Sequence, residues 1–571
     1  MADNATILAT LQSRFTSGIE RSDIYRDDAS VTIAPEQLLD VARFARQEAS
    51  LSFDLLLDVT AVDYLGQQAR FEVVHHLYST KHHHRLRLKT RVLEKEPIVD
   101  SVVPVWVGAN WLERETFDMY GVRFRGHPDL RRIYMYEEFQ GHPLRKDYPK
   151  ERRQPLIGPG SPQGNYQPAI PEIPGLTHVE GLLGAELMRV QLGPSHPATH
   201  GTVRILLDLD GETIVNADVQ VGYLHRGFEK ECESGFYYQA IPYTDRLNYS
   251  SAILCNVGYC MAVEKLFGAE VPPRCQFIRV IGGEIARIAD HLLCVGATAL
   301  ELNAFTPFLY ALQARELIWD LVNAMCGARV TSNFVRIGGV SADLPAGFAD
   351  QCRAAFKRLL ELVEDTEGLL LENPIFRARM EGVGVMSAER LIEYGVTGPL
   401  LRAAGVDLDL RRAQPYLVYD QLDFDVPLGT QGDNMDRFLV RLAEMRQSVR
   451  IVEQCLKMIP DGPIDIDDPA LRFPGKGRVY GRMEELINQF KLVTEGQKPP
   501  PGEVYVGTES ANGEIGYFLV SDGTGKPYKC RARTPSFSNT QPLAELVRGR
   551  LLADMVPTFD MINMIGGECD R

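Results

Sequence analysis

Between residues 151 and 185 the chain keeps neither a helical nor a strand period. ERRQPLIGPGSPQGNYQPAIPEIPGLTHVEGLLGA is dominated by proline and glycine. Each proline fixes its own backbone angle and biases the residue before it toward an extended conformation, so this stretch predicts a tether. A chain of 571 residues is also too long for one hydrophobic core. Two domains are expected, over 1–150 and 186–571, joined by a linker over 151–185.

Ahead of the tether the pattern mixes helix and strand. Gln37 to Arg46 predicts a short helix. Phe71 to Tyr78 (FEVVHHLY) and Arg85 to Lys89 (RLRLK) predict strands around the polar turn KHHH. The first domain is expected to be α+β. Behind the tether, Val203 to Gly222 predicts two strands broken at Asp210-Gly211, a pair that tolerates positive φ. Then helical stripes take over. Leu439, Leu442, Met445, Val449, Val452, Leu456 and Ile459 recur at three and four, with Asp433 or Asn434 as N-cap and Pro460 as stop. Gly282–Leu302 and Pro307–Met325 carry similar stripes. The second domain is expected to be mainly α, with a small N-terminal β-sheet.

Composition narrows the partners. A net charge of −15 argues against a nucleic-acid surface and against loose adsorption to an anionic membrane. The N-terminus lacks the apolar core of a secretory signal, and no stretch approaches the roughly 20 apolar residues a spanning helix needs. The run Ser251 to Val263, interrupted by Asn256 and Gly258, predicts a buried helix. Ten cysteines stand singly, with none before Cys232 and no CxxC pair. Zinc ribbons and ferredoxin-type clusters use closely spaced thiolates, so no metal held by this chain alone is expected. Membrane attachment would then come through other proteins.

Two groups of motifs name a family. ERETFDMYGVRFRGHPDLRRI (113–133) and GHPLRKDYP (141–149) resemble the signature of the C subunit, the 30 kDa type, of respiratory complex I. GPSHPATHG (193–201), GYLHRGFEK (222–230), YTDRLNY (243–249), EKLFG (264–268), GEIARIADH (283–291) and TPFLY (306–310) resemble the D subunit, the 49 kDa type. QPYLVYDQLDFDVPLGTQGD (414–433), FKLVTEG (490–496) and GYFLVSDGTGKPYKCR (516–531) extend that match along the second domain. The chain therefore resembles the fused C/D subunits of bacterial proton-translocating NADH:quinone oxidoreductase.

The resemblance implies an assembly role for the first domain, whose signature docks on neighbouring peripheral subunits. For the second it implies a scaffold similar to the nickel–iron hydrogenase large subunit. Those enzymes bind metal through two CxxC pairs, where this chain offers only Cys232 and Cys569. By the same resemblance, the old metal cavity serves a quinone. His200 of the THG triplet and Tyr249 would face its two carbonyls and give the protons its reduction takes up. Glu301 would pair with the loop histidine, since a carboxylate favours protonated imidazole. Relatives often carry Asp there. His196 is assigned no catalytic role. Electrons would come from a 4Fe–4S cluster in the neighbouring B subunit, with Arg226 and Arg246 lying against it or pairing with Glu229 or Asp245. FMN and the other Fe–S clusters would belong to partner subunits; the I subunit and the membrane H and A subunits are further expected partners. The location implied is peripheral, on the cytoplasmic side of the inner membrane. Thr331 stands where some relatives have a histidine after the GAR triplet.

Other features carry less. His82, His83 and His84 are adjacent in a turn and seldom converge on one ion. SDGTGKP (521–527) lacks the P-loop spacing, and no GxGxxG follows a strand, so NADH is not expected on this chain. A ferredoxin-linked hydrogenase is the rival enzyme, against which the missing thiolate pairs count. A purely structural scaffold is the rival without chemistry.

Overall fold

The computed structural model describes residues 4–154 and 187–571. From residue 155 on, the expected tether lies outside the described residues. The first half builds a five-stranded sheet in the order β1-β2-β5-β4-β3. β1 (Ile19–Tyr25) and β2 (Asp28–Ile33) form a hairpin, and β2 runs parallel to β5 (Arg85–Val92). β5, β4 (Phe71–Tyr78) and β3 (Leu55–Asp63) continue antiparallel. FEVVHHLY thus forms the expected strand over the same residues, while RLRLK runs on to Val92. The expected helix forms as Leu38–Gln47, turning Leu38, Val41, Ala42 and Ala45 inward. In the KHHH turn, His82 and His84 each donate to a separate carbonyl, of Ala49 (2.9 Å) and Leu51 (2.7 Å). The short strands β6 (Ile98–Asp100) and β7 (Arg123–Arg125) flank the helix Ala109–Tyr120, which packs on β3.

The second half opens on a three-stranded sheet of β8 (Met188–Leu192), β9 (Arg204–Asp210) and β10 (Thr213–Gln220). Its turn falls at Asp210-Gly211 as expected, with Gly211 at φ 61°. The helix Pro273–Glu301 is the axis of the helical region. It packs against Ala252–Phe267, Phe305–Cys326 and Asn434–Met458. Asp433 caps the last of these by accepting from the Asp436 amide (2.8 Å). One expected core position fails: Leu439 is 39% exposed. The inward face is rotated to take Arg437, Arg441, Glu444 and Ser448, all buried, so a purely apolar stripe misjudges it.

After a minimal pair, β11 (Val335–Arg336) and β12 (Gly339–Val340), comes a sheet that strand patterning passes over. β13 (Gly502–Glu509), β14 (Glu514–Ser521) and β15 (Lys529–Arg533) pair antiparallel in sequence order. The signal is present as Asn512-Gly513 between two runs of apolar and β-branched residues, with Ser510 N bonding Gly513 O at 2.8 Å. This sheet lies between the helix Ala252–Phe267 and the first half's sheet. His76 of β4 packs on Tyr505 and Phe518, with centroids 4.7 and 4.9 Å apart.

The two halves are therefore more than tethered. One hydrophobic cluster runs from the first half's sheet into residues 192–221, 386–410 and 537–569. Part of the 113–133 signature faces the chain's own second half, through Glu115, Tyr120 and Arg131. At its centre is a buried ionic knot. Arg531 of β15 binds Asp58 of β3 (2.6 Å), Glu229 (3.0 Å) and Glu115. Lys529 binds Glu229 and Tyr120, and Arg571 binds Glu115 at 2.6 Å. Burial alone would raise the Glu229 carboxyl, but Lys529 and Arg531 outweigh it and hold it at about 2.

Three buried carboxylates meet three cations in this knot, so removing one cation leaves charge uncompensated. Arg531→Leu should destabilise the chain by about 3–5 kcal/mol, measured by chemical unfolding or by loss of assembled complex. A second expectation concerns acid. Burial holds His75 neutral down to about 4 and pushes His76 down as well. The unfolded chain takes up a proton below about 6.5. Stability should thus fall as pH drops from there toward 4, by about 3 kcal/mol for His75. Faster amide exchange of β4 at pH 5 than at pH 7, after correction for intrinsic rates, checks it.

Candidate functional site

The loop 193–201 is fixed by its own backbone. Gly193 sits at φ 78° before a cis Pro194, and a Cβ there would lie 2.3 Å from the Val203 carbonyl. Thr199, fully buried, donates to the Pro194 carbonyl (3.2 Å). The His196 ring accepts from the Ala198 amide at 3.2 Å, so this histidine serves the turn. His200 ends the turn Pro197–Thr199 in the left-handed region at φ 52°. Its side chain is exposed and has no hydrogen bond or ion pair among the described residues.

Two glycines bring the other segments to this loop. A Cβ on Gly566 would lie 2.6 Å from Thr202 Cγ2, just past His200, and one on Gly567 would lie 2.5 Å from the Arg246 carbonyl. The short helix Gly566–Asp570 is thus pressed between the loop and the segment that carries Arg246 and Tyr249. Arg226 closes the junction, donating to Arg246 O (3.0 Å) and Gly567 O (2.8 Å). Arg246 donates to Pro242 O (2.7 Å) and stands 3.9 Å from Asp245. The expected alternative of Arg226 pairing with Glu229 does not form, because Glu229 is held in the ionic knot. Both guanidinium groups remain exposed.

Tyr249 opens a single turn whose cap is the buried Asn248 side chain, accepting from Ser250 N and Ser251 N (3.1 and 3.3 Å). The ring is 41% exposed and edges a small cleft with Ala286, Trp319 and Thr331. Partial burial raises its hydroxyl pKa, and the Asp290 charge pushes the same way. Glu301, the last residue of the helix Pro273–Glu301, is partly exposed. Among the described residues no hydrogen bond or ion pair joins it to His200. The structure therefore gathers His200, Arg226, Arg246 and Tyr249 around one helix end, and shows no pairing of Glu301 with His200. Cys232 and Cys569 do not pair; the neighbour of the Cys232 thiol is Cys530.

Sequence profiles of two families match this chain: respiratory-chain NADH dehydrogenase 30 Kd subunit over residues 31–154, and 49 Kd subunit over residues 301–571. The C/D subunit of NADH-quinone oxidoreductase from Bdellovibrio bacteriovorus is 45% identical over 544 residues, spanning 95% of both chains. The chain belongs to the C/D subunit family of NADH-quinone oxidoreductase. A second fused relative, one of the C/D subunits of Aquifex aeolicus, is 39% identical over 90% of this chain and 91% of its own. An unfused D subunit from Sorangium cellulosum is 55% identical over 68% of this chain and 96% of its own. Membership makes the protein a subunit of the oxidoreductase, with other complex I subunits as its partners. Among the described residues no helix is long and apolar enough to cross a membrane.

Behind the exposed groups lies a buried layer that motif reading does not single out. Asp290 accepts from Ser251 Oγ (3.0 Å) and from Asn563 Nδ2 (2.8 Å), which also reaches Asn512 Oδ1 (2.6 Å). Glu568 binds Ser536 and Asn512, and burial raises its carboxyl to about 7. The only sequence signal is the density of polar residues in the final GGECDR, which spacing alone cannot interpret. One substitution tests the packing that assembles this site. Gly567→Ala sets a methyl against the carbonyls of Arg246 and Leu247 and must push that segment away. A displacement of about 1 Å at a positioned group costs on the order of 100-fold. Quinone reduction by the assembled complex should fall by that order, while NADH oxidation by an artificial acceptor stays.

Proposed function

We propose that this subunit supplies the headgroup end of the quinone site of the proton-translocating NADH:quinone oxidoreductase. The observation that carries the reading is the contrast between two sets of polar groups. Buried Arg279, Arg402, Arg411 and Arg531 are matched by carboxylates, and buried Arg437, Arg441 and Arg533 by backbone carbonyls and neutral side chains. Around Gly566–Gly567, His200, Tyr249, Arg226 and Arg246 are exposed, and of these only Arg246 has a carboxylate, at 3.9 Å. Groups left open in this way on one side of a protein suit a ligand and a partner surface.

In the proposed reaction a quinone gains two electrons and two protons. His200 donates to one carbonyl oxygen and Tyr249 to the other, each stabilising negative charge as it develops there. The electrons would come from a 4Fe–4S cluster held by the B subunit, supplied from NADH by way of FMN and further Fe–S clusters of partner subunits. Arg226 and Arg246 fit a place beside such a cluster, because each is anchored through backbone carbonyls and keeps its positive charge available. Proton loss from His200 leaves the Glu301 charge transiently uncompensated, and that change triggers a rearrangement toward the membrane H and A subunits, with the I subunit as a further neighbour. Halves at 1–150 and 186–571 and a hydrogenase-like second half belong to the same reading. Cys232 and Cys569 stand outside any CxxC pair, which supports a scaffold without the paired nickel ligands.

Tyr249→Phe removes one proton donor and little else. In an assembled complex it should lower quinone-reductase kcat by about 100-fold or more, with artificial-acceptor activity retained. Unchanged quinone reduction in both Tyr249→Phe and His200→Ala complexes would favour the structural scaffold and overturn the reading.

A further inference from the structure

We propose that the helix Met483–Glu495 is a docking element, whose outward apolar face seats in an apolar groove with an acidic rim on another subunit of the complex. None of the residues of the quinone site take part. FKLVTEG (490–496), one of the segments by which the chain resembles the D subunit, closes this helix. The reaction proposed above leaves that segment without a task.

Met483, Leu486, Ile487, Phe490 and Val493 recur at three and four, so they share one side of the helix. A surface helix normally buries such a stripe. Here all five are exposed, Phe490 by 68%, as is Tyr480 of the preceding helix Lys476–Gly481, by 88%. The residue that turns inward is Leu492, two positions and therefore about 200° around the helix from Phe490. The element is nonetheless pinned at its end. Gly496 follows at φ 73°, and a Cβ there would lie 2.6 Å from the Phe236 ring and 2.9 Å from the Gly525 carbonyl. The stripe is thus presented in one fixed orientation, which lowers the ordering cost of docking. A contiguous exposed apolar row marks a contact surface, and this spacing is the one read when a helix lies in a groove.

Charge selects the partner. Of the flanking cations, Arg478 stands 3.8 Å from both Glu485 and Asp467, and Lys498 pairs with Glu495. Lys476, Arg482 and Lys491 are exposed and have no ion pair among the described residues; of the helix's acids, Glu484 alone is in the same position. The surroundings of the stripe therefore carry surplus positive charge on a chain whose net charge is −15. An acidic rim complements them. A second copy would bring the same free cations and the same net charge, and would be repelled. An anionic membrane takes a helix whose polar face is rich in Lys and Arg. Here that face holds Glu484, Glu485 and Glu495 against Lys491. D subunits also occur without a fused first half, so the cover belongs outside this chain and not in residues 155–186.

The test uses the assembled complex with a photoreactive benzophenone side chain in place of Phe490. Irradiation should join this chain to another subunit of the complex, at an apolar segment bordered by Asp or Glu. Phe490→Asp should lower incorporation of the full chain into the complex by about tenfold or more, with the unfolding midpoint of the free chain unchanged. Lys491→Glu should weaken incorporation, and Lys491→Arg should leave it as in the parent. Cross-links confined to a second copy, to lipid or to residues 155–186 overturn the proposal, as does the absence of any cross-link. Parent-like incorporation of Phe490→Asp also overturns it. Should Phe490→Asp lower the unfolding midpoint, the cross-link and the two Lys491 variants decide alone.

Discussion

Arg531 holds the two halves of this chain as one body. Its guanidinium reaches from β15 to Asp58 on the first half's sheet and Glu115 on its signature helix, and to Glu229 beside the GYLHRG segment. A buried ion pair is seldom a net gain over apolar packing, because desolvating the charges offsets their attraction. Such a knot does penalise mismatch severely: any other docking of the halves strands charge in a dry interior. The consequence is register. The sheet β13–β15 can meet β3 and β4 in one way only, and the helix Gly566–Asp570 is carried to its place with it.

That register separates two electrostatic regimes in one protein. Inside, cations and carboxylates close on each other, as where Glu444 joins His291 and Arg402, or Glu284 joins Arg287 and Arg411. At the junction around Gly566 and Gly567, arginines are anchored mainly through backbone carbonyls and their charge stays outward. Self-sufficient pairing stabilises; unfinished pairing gives a partner something to complete. A member of a larger oxidoreductase needs both.

Local elements are legible in the sequence because periodicity and turn chemistry are local. FEVVHHLY becomes β4 and Asp210-Gly211 turns a hairpin. Asp433 caps its helix, and the site's loop is visible as GPSHPATHG. The sheet β13–β15 escapes notice although Asn512-Gly513 marks its hairpin, because buried strands read as continuous apolar runs. Leu439 is misjudged because the inward face of its helix is partly ionic. The contact of Cys294 with the Asp560 carbonyl has no sequence trace at all: the two lie 266 positions apart, and only helix packing brings them near. The Pro- and Gly-rich seam after residue 150 gives the right count of halves but conceals their shared core, since sequence spacing is silent on what packs across it.

The helix Gly566–Asp570 has a bearing on biogenesis. Gly566 and Gly567 touch Thr202, Arg226, Arg246 and Leu247, and Arg571 touches Glu115 and Tyr134. Every one of those contacts is with a residue that leaves the ribosome hundreds of positions earlier. The earlier segments must therefore wait, with the junction around His200 and Tyr249 open, until the 566–571 segment emerges and seats itself. A chain cut before residue 566 would present both halves yet lack the piece that draws the loop and the arginines together.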